Sequence, residues 1–131
     1  MRRCFIGNRN TYTGDDMFVQ FEVPKTEKKI IAIDFDGTII KNKYPIIENP
    51  DMEVIAFIKR HRRKYIWILW TCRTGERLRE AVEYMRDTHG ITFDYVNENA
   101  VKWGEDSRKV WADYYLDDRN VFNLLDIRRS R

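Results

Sequence analysis

From Lys29 onward the chain runs in blocks that read strand, helix, strand, helix, strand, helix, strand. That order is the signature of a parallel sheet with helices on both faces, because parallel neighbours need a crossover between them. The run Lys29-Lys-Ile-Ile-Ala-Ile-Asp-Phe35 is continuously apolar at its centre, as a strand buried on both faces requires. It belongs in the middle of the sheet. Asn49-Pro-Asp51 can start a helix whose Val54, Ile55, Phe57 and Ile58 share a face, closing in the charged run Lys59 to Lys64. Tyr65 to Trp70 reads as the second strand. Thr74 or Gly75 opens a second amphipathic helix with Leu78, Ala81, Val82 and Met85 inward, and Gly90 follows as a C-terminal cap. A third strand near Thr92 to Val96, a short helix near Asp106 to Trp111, a fourth strand over Asp113 to Asp117 and a helix over Asn120 to Ile127 complete the pattern.

At 131 residues there is room for one such core, so residues 29–131 are expected to form one domain. Residues 1–28 read as an N-terminal β extension. There Met17 to Val23 alternates like a half-exposed strand and Asn8 to Asp16 carries turn residues, which suggests a hairpin. No apolar run is long enough to cross a bilayer, and Met1 to Gly7 lacks the apolar stretch of a secretion signal, so a cytoplasmic location is expected. Cys4 and Cys72 form no metal-ligand cluster and are expected to be free thiols. The net charge of +3 favours anionic partners without declaring a nucleic-acid binder.

In an open parallel sheet the binding crevice lies beyond the carboxyl ends of the strands. Asp34 and Asp36 fall where the first strand ends, Thr71 follows the second, and Asp117 with Asp118 ends the fourth. One crevice thus collects four carboxylates and a hydroxyl. Carboxylates so crowded repel each other unless a cation neutralises them, and an all-oxygen ligand set suits Mg²⁺.

Asp34-Phe-Asp-Gly-Thr38 after an apolar strand resembles the D-x-D-G-T nucleophile motif of the haloacid dehalogenase-like (HAD) phosphohydrolases. Ile66 to Thr71 is similar to the family's second motif, an apolar strand ending in Ser or Thr. Tyr114-Tyr-Leu-Asp-Asp118 is similar to the fourth, and Lys109 lies where small members carry the lysine of the third, with Lys102 as the alternative. The resemblance covers about residues 29–125. It implies an α/β, Rossmannoid three-layer sandwich with a central parallel sheet and no cap domain, the intervals Asp36 to Thr71 and Thr71 to Lys109 being too short to hold one.

The same resemblance implies a Mg²⁺-dependent phosphatase working through an aspartyl-phosphate. Asp34 is the nucleophile in that scheme, and Asp36 the acid for the leaving oxygen and then the base for water. Thr71 and Lys109 hold the transferred group, with Gly37, Thr38, Cys72 and Arg73 lining the substrate site. The metal is held by Asp34, the backbone carbonyl of Asp36, Asp117 and Asp118. Lys41, Lys43, Arg73, Arg77 and Arg119 make the expected mouth basic, which together with an open site fits a large phosphorylated substrate such as a nucleotide or a nucleic-acid end.

Simpler readings stand beside this one. Asp34 and Asp36 can be an ordinary strand-end turn, Asp117 and Asp118 a helix-capping pair, and Lys109 a solvated side chain. A non-catalytic module that binds phosphoryl groups or nucleic acid on the same fold is the alternative function. A cysteine phosphatase needs an arginine six positions after its cysteine, where Cys72 meets Leu78 and Cys4 meets Asn10. A signalling receiver domain has its acidic pair first in the chain, whereas here it comes last.

Overall fold

The computed structural model describes residues 2–7, 18–23, 27–41, 43–102 and 107–121. Strands β1 (Arg2–Gly7) and β2 (Phe18–Val23) pair antiparallel in a sheet of their own, with Arg2 opposite Val23 and Gly7 opposite Phe18. The main sheet has four strands, β3 (Ile30–Ile33), β4 (Ile66–Leu69), β5 (Tyr95–Val96) and β6 (Tyr114–Leu116). Their spatial order is β5-β4-β3-β6, and every pairing is parallel. Counted within this sheet the order is 3-2-1-4, a Rossmann-like α/β arrangement. The apolar run beginning at Lys29 therefore supplies an inner strand, and all four residues of β3 are buried.

Alternation along β3 and β4 sends successive side chains to opposite faces. Ile31, Ile33, Trp67 and Leu69 meet Ile55, Ile58, Ala81 and Met85 in one core cluster. The inward residues of helices α1 (Met52–Arg60) and α2 (Gly75–His89) are thus packed on one and the same face. Ile30, Ala32 and Ile68 face the other way, against Val101, Val110 and Ala112. Among the described residues both helices pack on one face of the sheet, and the segments described on the other face are not helical. Full burial of an isoleucine contributes about 1.5–3 kcal/mol against about 0–1 kcal/mol for a surface ion pair, so these two clusters fix the sheet.

The helix ends carry the expected punctuation. The Asp51 side chain caps α1 by accepting from the N–H groups of Glu53 (3.1 Å) and Val54 (3.3 Å). Gly90 closes α2 in the left-handed region at φ 67°, its N–H donating to the Arg86 carbonyl at 3.0 Å. The third strand is shorter than the sequence predicts, covering Tyr95–Val96 alone.

The predicted short helix over 106–111 is corrected where it is described, since residues 107–111 are not helical. Side chains have taken over the backbone groups a helix would use. Asn99 Oδ1 accepts from the Trp111 N–H at 2.5 Å, while the Tyr115 hydroxyl accepts from the Ala112 N–H (3.1 Å) and donates to the Val110 carbonyl (2.6 Å). The helix expected over 120–127 lies outside the described residues beyond Val121.

Candidate functional site

Register places the acidic residues together. Ile33 is the partner of both Leu69 and Leu116, and Leu69 is the partner of Val96, so the four strands finish on one line. Backbone bonds carry that alignment one residue further: Asp34 N–H to Leu116 O (2.9 Å), Trp70 N–H to Ile33 O (2.8 Å) and Asn97 N–H to Leu69 O (2.8 Å). Asp34, Thr71, Asn97 and Asp117 are therefore delivered to one edge by topology.

One carboxylate oxygen from each of Asp34, Asp117 and Asp118 lies within 4.8 Å of the others. Burial pushes the Asp34 carboxyl up to about 7 against the favourable Phe35 N–H; the negative charges of Asp117 and Asp118, and a hydrogen bond with Asp118, push it the same way. Three clustered carboxylate oxygen donors, with no thiolate or imidazole among them, suit a hard divalent cation. Exposed acidic groups also gather without one, but here Asp34 is partly buried and the turn is shaped around the cluster. Gly37 adopts φ 89°, and a Cβ there would lie 2.7 Å from Asp118 Cγ. Only a residue without a side chain lets the Asp118 carboxylate sit over this turn. Thr38 Oγ1 accepts from the Asp118 N–H at 2.9 Å, tying the turn after β3 to the acidic pair after β6.

Asp36 faces a different partner. Its two carboxylate oxygens accept from Arg73 Nε and from a terminal guanidinium nitrogen, each at 2.7 Å. Arg73 also donates to the carbonyls of Pro45 (3.2 Å) and Arg77 (3.3 Å), and its guanidinium lies 5.0 Å from the ring centroids of both Phe35 and Tyr44. With a side chain 1% exposed, Arg73 is not placed to bind substrate as the sequence led us to expect; its donors are engaged by protein oxygens. Asp36 is accordingly absent from the three-carboxylate group on the side-chain level, although its backbone carbonyl belongs to the same turn.

Thr71 sits on a strut missed from the sequence. Asn97 Oδ1 accepts from the Thr71 N–H at 2.8 Å, and Asn97 Nδ2 donates to the Arg73 carbonyl at 3.4 Å. Asn97 itself has φ 52°, a left-handed conformation asparagine tolerates better than most residues. A lone Asn after a strand was the available signal. Thr71 Oγ1 accepts from the Arg73 N–H at 3.1 Å, and Cys72 between them is an exposed free thiol.

A cavity of about 660 Å³ opens beside the cluster, lined by Asp34, Asp117, Trp70, Lys109, Tyr115 and Arg119 among others. Lys109 therefore borders the same space as Asp34, its ammonium 5.3 Å from the centroid of the Tyr115 ring. Lys102 is exposed and does not line that cavity. Of the expected basic mouth, Arg119 lines the cavity, whereas Arg77 pairs with Glu80 and Lys41 with Asp51. The run Lys59 to Lys64 lies before β4, at the opposite end of the sheet, where Arg62 forms a two-pronged pair with Asp94 at 3.0 Å. Among the described residues no helix is long and apolar enough to cross a membrane.

The chain is similar to a solved structure described as the conserved protein coded by a locus from Bacteroides thetaiotaomicron. The two are 38% identical with a TM-score of 0.63, over 72% of this chain and 78% of that one. No family model matches the sequence, and no curated protein matches it.

Proposed function

The chain belongs to the same family as that conserved Bacteroides protein, and from this premise and the carboxylate geometry we propose that it is a capless HAD-type phosphohydrolase cleaving phosphate monoesters with Mg²⁺. The observation that carries the reading is the meeting of Asp34, Asp117 and Asp118 within 4.8 Å at the carboxyl edge of a parallel sheet. The D-x-D-G-T and paired-acid motifs supply these three carboxylates.

Mg²⁺ held by Asp34, Asp117, Asp118 and the Asp36 carbonyl would neutralise the carboxylates and the phosphoryl oxygens, removing the repulsion between nucleophile and substrate. Asp34 then attacks phosphorus in line, forming its O–P bond as the ester P–O bond breaks. Asp36 enters this step protonated, on an oxygen lone pair that Arg73 does not engage, and gives that proton to the departing alkoxide. Water next attacks the aspartyl-phosphate, returning a proton to Asp36 and releasing phosphate with Asp34 restored. Thr71 and Lys109 hold the transferred group, each adding a donor as charge moves onto its oxygens. Lys109 and Arg119 beside an open cavity favour a substrate with further negative charge, of the nucleotide or nucleic-acid-end class.

The test is phosphate release by the purified full chain, with Mg²⁺, from nucleotides, sugar phosphates and 3′- or 5′-phosphorylated oligonucleotides. Asp34→Asn is expected to abolish the magnesium-dependent release. Equal release by the variant overturns the assignment, and a stable acyl-phosphate without turnover would make the protein a phosphoacceptor module instead.

A further inference from the structure

We propose that Arg73 is a positioning residue for the reaction: its buried guanidinium fixes the Asp36 carboxylate toward the leaving oxygen while remaining out of the substrate's reach. This rests on the hydrolase reading. The observations are geometric. The Arg73 side chain is 1% exposed, whereas that of Asp36, directly in front of it, is 24% exposed. The carboxylate is thus partly open to solvent while the cation that holds it is buried.

The hold is unusually complete. Two parallel N–H groups engage both Asp36 oxygens at 2.7 Å, a fork geometry that fixes the plane of the carboxylate as well as its distance. The Pro45 and Arg77 carbonyls and the rings of Phe35 and Tyr44 pack around the guanidinium itself. Asp36 and Arg73 leave the carboxyl ends of adjacent strands β3 and β4, so the pair also locks the turn carrying Asp36 to the segment carrying Thr71. A solvated surface pair would need none of this packing. A proton donor must lie within hydrogen-bond reach of the oxygen it serves, and small displacements cost large factors in rate. A buried arginine behind the carboxylate supplies that precision without touching the substrate.

The distinguishing experiment is leaving-group dependence of kcat/KM, which reports the step that expels the alcohol. An alkyl phosphate needs a proton on its leaving oxygen; 2,4-dinitrophenyl phosphate does not. We expect Arg73→Lys, which keeps the charge and loses the fork, to slow the alkyl ester by about a hundredfold and the dinitrophenyl ester by less than about threefold. Asp36→Asn should show the same split, and adding Arg73→Lys to it should slow the alkyl ester little further, because both act on one proton transfer. Arg73→Gln is the companion variant, with circular dichroism to verify folding.

Equal slowing of the two esters by Arg73→Lys overturns the positioning role while leaving the hydrolase reading intact. A Lys variant that does not fold also overturns it, since Arg73 is then a folding residue. No release of phosphate from either ester by the unaltered protein sinks the hydrolase reading, and this inference with it.

Discussion

Asp34→Asn should stabilise the metal-free protein at alkaline pH although it removes the proposed nucleophile. The Asp34 carboxyl is raised from 3.8 to about 7, foremost by burial, so the folded state holds its proton over a range in which the unfolded chain has released it. Stability then falls as pH climbs from about 4 through about 7 and levels off above, because the ionised carboxylate is disfavoured only in the folded state. A displacement of that size corresponds to roughly 4 kcal/mol at most. Water reaching the cluster screens part of it, and about 2 kcal/mol is the expected gain for the neutral amide at pH 8. Below pH 4 the gain should vanish. Urea unfolding of both proteins with a chelator present, at several pH values, measures the difference. Adding Mg²⁺ should then stabilise the unaltered protein and favour the variant less, reversing or narrowing the order at pH 8. An Asn variant that is no more stable at pH 8 than at pH 4, relative to the unaltered chain, would refute the view that burial, with the neighbouring carboxylates, disfavours an ionised Asp34 in the fold.

Gly37→Ala should cost about 1–3 kcal/mol in unfolding free energy, since φ 89° and the Asp118 carboxylate both exclude a Cβ, and titration calorimetry should show weaker Mg²⁺ binding. Asn97→Gly should lose about 1 kcal/mol with its bond to the Thr71 N–H, and Asn97→Ala about 1 kcal/mol more from the left-handed backbone; thermal unfolding ranks the two, and equal values would discard the backbone contribution. Lys109→Ala should lower phosphate release at least about tenfold, in keeping with loss of one charge-stabilising donor, while Lys102→Ala should leave it within about twofold. The reverse ranking would move the phosphate-binding role to Lys102.

The parallel sheet was legible because Ile30 to Ile33 and Ile66 to Leu69 are apolar runs, buried but for the partly exposed Ile66, and each is followed by a helix with clean punctuation, Asp51 at the start of the first and Gly90 at the end of the second. The acidic cluster was legible for a related reason: strand-end residues in a parallel sheet share an edge whatever their separation in sequence. What escaped was determined by side chains bonding to distant backbone. Nothing local in Ser107 to Trp111 announces that Asn99 and Tyr115 will satisfy its amides and carbonyls, so helical spacing there misled. Arg73 looked like a substrate ligand because a cation beside Thr71 reads the same whether it turns outward or, as here, back onto Asp36. Asn97 was passed over because its role depends on a turn conformation with only a faint compositional trace.

Strand β6 spans three residues at one end of the four-strand order and pairs with β3, yet it delivers two of the three clustered carboxylates. The pocket is therefore only as durable as the seating of this short peripheral strand, which must close a circuit from Thr38 to Asp118, 80 positions apart. Anything bridging Asp34 and Asp117 would act as a clasp on that circuit, so occupancy should be readable far from the chemistry, as slower amide exchange along Tyr114 to Asp118.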